Sequence, residues 1–103
     1  EVSVALRIDI DRGKVADFSS RHDVAELAVF GSALRDDFGP HSDIDILVTF
    51  KPGARVTLFD LVEMADELSS LFGRPVDLVP KNGLKPRIRR SILESSQVFY
   101  AAA

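Results

Sequence analysis

The stretch Phe30–Phe50, FGSALRDDFGPHSDIDILVTF, contains the features that decide the fold and the candidate site. Gly31 and Ser32 follow a short apolar run, and Asp43 and Asp45 alternate with the aliphatic residues of a second run. Side chains two residues apart on a strand point to the same face. We therefore predict that the two acids share one face of a strand, while the aliphatic residues between them face the core.

Two carboxylates on one strand face need a physical reason. Cα atoms two residues apart on a strand lie about 6.6 Å from each other, so both arms can converge on one hard cation. Oxygen ligands favour Mg²⁺, Mn²⁺ or Ca²⁺ over softer metals. The alternative is that Asp43 and Asp45 are solvated acids, which protect an edge strand from pairing with another chain.

Gly31 and Ser32 fit a phosphate site. Glycine lets a backbone approach a phosphate closely, and amides at the start of a following helical turn point at an anion. The Ser32 hydroxyl can donate to a phosphate oxygen. The alternative is an ordinary turn that Ser32 caps. Asp77 interrupts a third apolar run, VDLV at 76–79, and can join the other acids if its strand lies beside theirs.

Apolar periodicity, capping residues and turn residues predict alternating helices and strands. The predicted elements are a helix from Asp11 to about His22, strands at 26–30 and 43–50, a short helical turn at 32–38 ended by Gly39 and Pro40, a helix at 57–72, a strand at 76–79, a helix from Pro86 and a last strand at 98–100. This order predicts an α/β protein with a compact sheet covered by helices.

The sequence also predicts which helix residues are buried. The expected buried residues of the first helix are Val15, Ala16 and Phe18. The apolar stripe of the long helix is expected at Leu58, Leu61, Val62, Ala65, Leu68 and Phe72, which follow the helical repeat. Thr57 and Asp60 resemble a capping box.

Length and composition set the limits of the interpretation. The chain has 103 residues, a net charge of −3 and no Cys, which excludes thiolate chemistry and zinc–thiolate sites. One domain over 1–103 is expected, with a core at about 11–100, an uncertain extension at 1–10 and a possible tail at 101–103. The acidic charge argues against sequence-independent nucleic-acid binding. No apolar run suggests a membrane span or a signal peptide, so a cytoplasmic protein is expected.

The combination GSALRDDFGPHSDIDILV and VDLV resembles the DNA polymerase beta nucleotidyltransferase superfamily. The small size and the tail LKPRIRRSILESSQVFY are most similar to the minimal nucleotidyltransferases (MNT). The resemblance covers about residues 11–100. It implies a small mixed sheet flanked by helices, with three acids that hold Mg²⁺.

The resemblance also implies a role for each motif residue. Gly31 and Ser32 would hold the phosphates of ATP, the substrate. Asp43 and Asp45 would bind the metals, and Asp77 would bind one metal and help deprotonate the acceptor hydroxyl. Two Mg²⁺ ions are implied, or Mn²⁺ in their place, one activating the attacking oxygen and the other steadying the pyrophosphate.

In the MNT group the partner implied is a HEPN-domain toxin, often an RNase. The expected function is transfer of AMP from ATP to a hydroxyl of that toxin, a tyrosine in some members, so that the chain acts as an antitoxin. An oligomer could form through the toxin complex. Two alternatives are a non-catalytic antitoxin that only binds its toxin, and a nucleotidyltransferase of small molecules. No membrane and no direct nucleic-acid partner are expected.

Two sets of basic residues remain open. Arg35 lies one turn after Ser32 and could reach a triphosphate, or it could pair with a neighbouring acid at the surface. The basic run within Lys81–Arg90 could contact ATP phosphates, the partner or RNA bound to the partner, or it could be a solvated face.

Overall fold

The computed structural model describes residues 11–31 and 43–102, and within them it forms a four-stranded mixed sheet with helices on both faces. The elements are α1 (Arg12–Arg21), β1 (Val24–Phe30), β2 (Ile44–Phe50), α2 (Leu58–Phe72), β3 (Val76–Pro80), a short 3₁₀ helix (Lys81–Gly83), α3 (Pro86–Ser95) and β4 (Gln97–Ala101). The strand order is β3-β2-β1-β4. β1 runs antiparallel to β2 and β4, whereas β2 and β3 are parallel. The predicted α/β class is confirmed.

The element boundaries differ from the predicted ones by one or two residues at most. β1 begins at Val24 rather than at residue 26, and β2 begins at Ile44, so Asp43 lies directly before the strand. The predicted helical turn at 32–38, with Gly39 and Pro40, lies outside the described residues.

Helix α1 begins where the sequence indicates. The Asp11 carboxylate accepts a hydrogen bond from the Lys14 amide at 3.0 Å, which caps the helix. Phe18 is fully buried, as expected, but Ala16 is exposed and its predicted burial is wrong. Ser19 is buried instead, because it lies four residues after the buried Val15 and therefore on the same side of the helix.

Helix α2 has the predicted caps, but its apolar stripe is only partly as predicted. Thr57 and Asp60 form a reciprocal capping box, and Gly73 ends the helix with a φ of 72°. Leu68 is fully buried, whereas Leu58 and Val62 are 77% and 55% exposed.

Helical geometry explains this error. Met64, which the predicted stripe omits, is 1% exposed and lies with Leu68 on the side of α2 that faces the sheet. At about 100° per residue, Leu58 and Val62 are turned roughly 100–140° away from that side. The i, i+3, i+4 rule therefore identified an apolar stripe broader than the surface that the sheet can cover.

The two faces of the sheet carry separate apolar clusters. In the larger cluster, the aliphatic residues of β2 pack against α1 and α2. Its members include Ile44, Ile46, Val48, Phe18, Met64 and Leu68. The smaller cluster contains Ala28, Leu47 and Leu84, and it is covered by Ile92 and Leu93 of α3. Because Leu47 alternates with Ile46, the smaller cluster lies on the face of β2 that carries Asp45.

The connection from β2 through α2 to β3 determines which strand ends lie side by side. It leaves β2 at Phe50 and returns at the opposite end of the sheet, where the Pro75 carbonyl accepts from the Ile44 amide at 2.9 Å. The first residues of β2 and β3 are therefore neighbours. No helix in the described part of the chain is long and apolar enough to cross a membrane.

Candidate active site

The strand register brings together the acids that the sequence predicted for one site. Asp45 on β2 is paired with Asp77 on the parallel strand β3, and with Phe30 on the antiparallel strand β1. Residues paired in this way lie about 4.8 Å apart and present side chains to the same face. Asp77 is thus the direct neighbour of Asp45, although the two are far apart in sequence.

Gly31 lies against Asp45 on the side away from Asp77. A Cβ atom built on Gly31 would collide with the Asp45 carboxylate and would lie 3.3 Å from its Cγ. The backbone at Gly31 also has a φ of 68°, in the left-handed region that favours glycine. The missing side chain therefore allows the Gly31 backbone to lie directly against the acid.

Asp43 extends the acidic edge. It lies directly before β2, two positions from Asp45, and its side chain is exposed, as is that of Asp77, whereas Asp45 is half-buried. The hydrogen bond from Ile44 to Pro75 fixes the backbone between Asp43 and Asp45. Because Asp43 and Asp77 are exposed, a ligand can approach these two acids from solvent.

The donor set fits a hard divalent cation. Asp43, Asp45 and Asp77 offer carboxylate oxygens only, the ligand type that Mg²⁺ prefers. Within residues 11–31 and 43–102, no three His, Cys, Asp or Glu side chains are gathered into a group that could hold a metal ion as they stand. The strands thus align the carboxylates, and their arms would have to turn toward a common point to hold an ion.

Two further residues were predicted for the site, Ser32 and Arg35. Both lie outside the described part of the chain, so their predicted contacts with a triphosphate remain predictions. Sequence reasoning did not single out Arg74, a half-buried cation directly before Pro75, at the end of the sheet that carries the acids. A basic residue between the end of a helix and an acid-bearing strand is the signal that would have identified it.

A second charged cluster lies on the opposite face, between α1 and α2. Arg21 donates to Asp17 at 3.0 Å and to both carboxylate oxygens of Glu67, and the His22 Nε2 atom lies 3.1 Å from Glu67 Oε1. The hydrogen bonds from Arg21 lower the pKa of Glu67, with a smaller contribution from His22. This network joins two helices, and we interpret it as structural.

The basic run is partly engaged in the fold. Arg89 donates to the carbonyl of Lys81 at 3.1 Å, and Arg90 pairs with Glu94 at 3.4 Å on the outer surface of α3. Lys85 and Arg87 are exposed. The run begins at the end of β3 remote from the acids, so the described structure does not bring its first residues to the candidate site.

Comparison with known proteins agrees with this geometry. A family model described as a nucleotidyltransferase domain matches residues 12–99. A protein of Methanocaldococcus jannaschii, provisionally named a protein adenylyltransferase, is 33% identical over 91 residues, which cover 88% of this chain and 96% of the relative. The protein adenylyltransferase MntA of Thermococcus cleftensis is 40% identical over 73 residues, which cover 71% of this chain and 72% of MntA.

Solved structures show the same fold. A structure provisionally described as a minimal nucleotidyltransferase superposes with a TM-score of 0.67 at 36% identity, covering 82% of this chain and 85% of the matched one. A second match is to a chain in the solved complex of a tri-AMPylated HEPN toxin of Shewanella oneidensis with an MNT antitoxin. Its TM-score is 0.62, and the match covers 87% of this chain and 69% of the matched one. Its 18% identity supports the fold alone.

The matched domain places this protein in the class of nucleotidyltransferases. The chain belongs to the nucleotidyltransferase domain family and, within it, to the minimal nucleotidyltransferases that its motifs predicted. The predicted enzyme class is confirmed. The metal, the acceptor and the roles of the individual site residues stay predictions.

Proposed function

We propose that this chain is a Mg²⁺-dependent protein adenylyltransferase that transfers AMP from ATP to a tyrosine hydroxyl of a HEPN-domain toxin, and so acts as a cytoplasmic antitoxin. The observation that carries the proposal is the pairing of Asp45 with Asp77 beside the bare backbone of Gly31. The relatives named as protein adenylyltransferases and the likeness to an MNT antitoxin in a complex with an AMPylated HEPN toxin support it.

The proposed reaction is a displacement at the α-phosphorus of ATP. The acceptor oxygen forms a bond to that phosphorus, the bond to the bridging oxygen of the β-phosphate breaks, and pyrophosphate leaves. Asp77 accepts the proton of the acceptor hydroxyl as it attacks. Gly31 and Ser32 hold the phosphates from the backbone side, which is possible because no Cβ at Gly31 intervenes.

Asp43, Asp45 and Asp77 would hold the two Mg²⁺ ions. When bound, Mg²⁺ supplies positive charge for the triphosphate and increases the acidity of a coordinated hydroxyl. In the chain itself, the central strand β2 fixes Asp45 from both sides, since it pairs with β1 and β3. This backbone support fixes the face of the sheet to which the Asp45 side chain points before any ligand binds.

Label transfer tests the proposal directly. The chain is purified with the HEPN-domain protein of the same genome and supplied with Mg²⁺ and ATP labelled at either the α or the γ phosphate. We expect label on the toxin from the α position only. Asp45→Asn and Asp77→Asn should each lower transfer at least 100-fold, the scale of losing one element of transition-state stabilisation.

Asp23→Asn is the matched control, because Asp23 is an exposed acid at the turn before β1 and asparagine tolerates its φ of 56°. Full transfer by both site variants would overturn the assignment of the acids. If the wild type transfers no label and a doubly substituted Asp45/Asp77 variant still neutralises the toxin in cells, the chain is an antitoxin that acts by binding.

A further inference from the structure

The first turns of α2 present large apolar side chains to solvent. Leu58, Phe59 and Val62 are 77%, 84% and 55% exposed, although the helix has a well-buried side at Met64 and Leu68. Together they expose roughly 400 Å² of apolar surface, a size that is often functional in a monomer. We call these three residues the α2 patch.

The charge around the α2 patch is of one sign. Helix α2 contains four acidic residues and no Lys, Arg or His, so it carries more negative charge than the whole chain does in sum. Asp60 belongs to the capping box, and Glu67 is held by Arg21. Glu63 and Asp66 remain exposed beside the patch, one turn after Phe59 and Val62 respectively.

This pattern identifies the kind of surface that fits the patch. A two-fold contact between copies would bring the acidic helix α2 against itself, which the like charges oppose. A head-to-tail contact with the basic helix α3 of another copy would build a ring or an open chain of copies, and not a closed pair. A different protein can cover the α2 patch with an apolar surface and pair Lys or Arg at the edge of that surface with the acids beside the patch.

Geometry separates the α2 patch from the candidate active site. Helix α2 packs on the sheet face opposite the acids, and its first residues follow the end of β2 that is remote from Asp45. The groove beside Leu61, lined by the β2–α2 connection and by Pro80–Asn82, lies at that same remote end. The 15-residue helix then spans about 22 Å toward the acid-bearing end.

We propose that the α2 patch is the docking surface for the protein that receives AMP, which binds it with an apolar surface edged by basic residues. The proposal rests on the proposed function, since it concerns the partner of that reaction. Docking at the patch leaves the acids of the same copy uncovered. The acceptor hydroxyl would then be carried on a segment that extends past the patch by at least about seven residues.

Binding of the HEPN-domain toxin to purified variants tests the proposal. Phe59→Ser and Val62→Ser, singly and together, should weaken binding about 30-fold or more for the pair, as expected when an aromatic anchor is lost. Glu63→Lys with Asp66→Lys should weaken it and reduce its salt dependence. Ile88→Ser, at a residue of α3 that is 48% exposed, is the matched control and should bind like the wild type.

The outcomes distinguish this proposal from the proposed function. If the toxin binds and is labelled while the Phe59→Ser/Val62→Ser variant binds with unchanged affinity, the docking surface is wrong and the adenylyltransferase stands. If the wild type forms a dimer that this variant abolishes, a second copy covers the patch and the proposal is overturned. If the wild type neither binds nor labels the toxin, both proposals fail.

Discussion

The space that a side chain at Gly31 would need is occupied by the carboxylate of Asp45. Asp45 is paired with Phe30, and Gly31 follows directly after that pair, at the end of β1. Gly31 contributes a bare backbone with a φ of 68°, and Asp45 contributes an acid. In the proposed site, a phosphate-binding turn and a metal-binding strand would share one edge of the sheet, because glycine leaves this gap.

Gly31→Ala should therefore damage the site more than the fold. The added methyl would displace Asp45, and we expect AMP transfer to fall about 100-fold, as a misplacement of about 1 Å can cause. Stability should fall by about 1 kcal/mol from the left-handed backbone. Transfer assays and urea unfolding measure the two effects separately.

Gly73→Ala is the control for this change. Gly73 has a φ of 72°, but nothing lies within 4 Å of a Cβ built there. It should show the same loss of stability with transfer intact. Equal losses of transfer in both variants would show that backbone strain, and not contact with Asp45, explains the effect of Gly31→Ala.

The two sides of α2 should respond differently to truncation. Leu68 is fully buried, so Leu68→Ala should lower the free energy of unfolding by about 2–5 kcal/mol. Val62 is 55% exposed, and Val62→Ala should change the free energy of unfolding by no more than about 0.5 kcal/mol. Urea denaturation of the isolated chain measures both, and a large loss for Val62→Ala would place that residue in the core.

The start of α2 depends on a single hydroxyl. Thr57 Oγ1 accepts from the Asp60 amide at 3.1 Å, and the Thr57 amide donates to the Asp60 carboxylate at 2.8 Å. Thr57→Ala should lower stability by about 1 kcal/mol, and Thr57→Ser should restore most of it. If serine and alanine gave equal melting temperatures, the hydroxyl would not be the stabilising group.

The ion pair between Arg21 and Glu67 should make stability depend on pH. Arg21 holds the pKa of Glu67 below its ordinary value. A lowered folded-state pKa stabilises the protein above the unfolded-state pKa of about 4.3, and this contribution is lost as the pH falls through the folded-state value. Glu67→Gln should lower stability at pH 7 by about 0.5 kcal/mol, because the pair is partly exposed.

Denaturation of the Glu67→Gln variant at several pH values checks this sign. The difference from the wild type should shrink toward zero in acid, below the folded-state pKa of Glu67. Glu63→Gln, at an exposed position of the same helix, should show no such convergence. A difference that persisted unchanged in acid would assign the effect to packing rather than to charge.

Local chemistry made most of the fold predictable. Asp11, Thr57, Gly73 and Pro86 marked helix ends through interactions within one turn, and each helix has the predicted start or end. The exposure of Ala16 could not be read in the same way. Burial depends on how much of a helix the sheet covers, which is a tertiary property.

The sequence indicated which acids belong to the candidate site, but not the strand register that aligns them. Two acids alternating with aliphatic residues indicated a shared face, and the third was expected nearby only if its strand lay beside theirs. The packing of α2 on the sheet brings β3 beside β2. It also sets the register in which Asp45 is paired with Asp77 and not with a residue two positions away. A one-residue shift of β3 would turn Asp77 to the opposite face.

The parallel pairing of β2 with β3 also decides when the site can exist. Its two paired acids meet only after the helix between them has docked, because parallel strands need a crossover to return to the same edge. The site is therefore the product of a long-range contact and not of a local loop. Detachment of α2 would remove Met64 and Leu68 from the core as well as separate the carboxylates. Thermal inactivation should therefore coincide with global unfolding, and no partly folded chain should remain a partial catalyst.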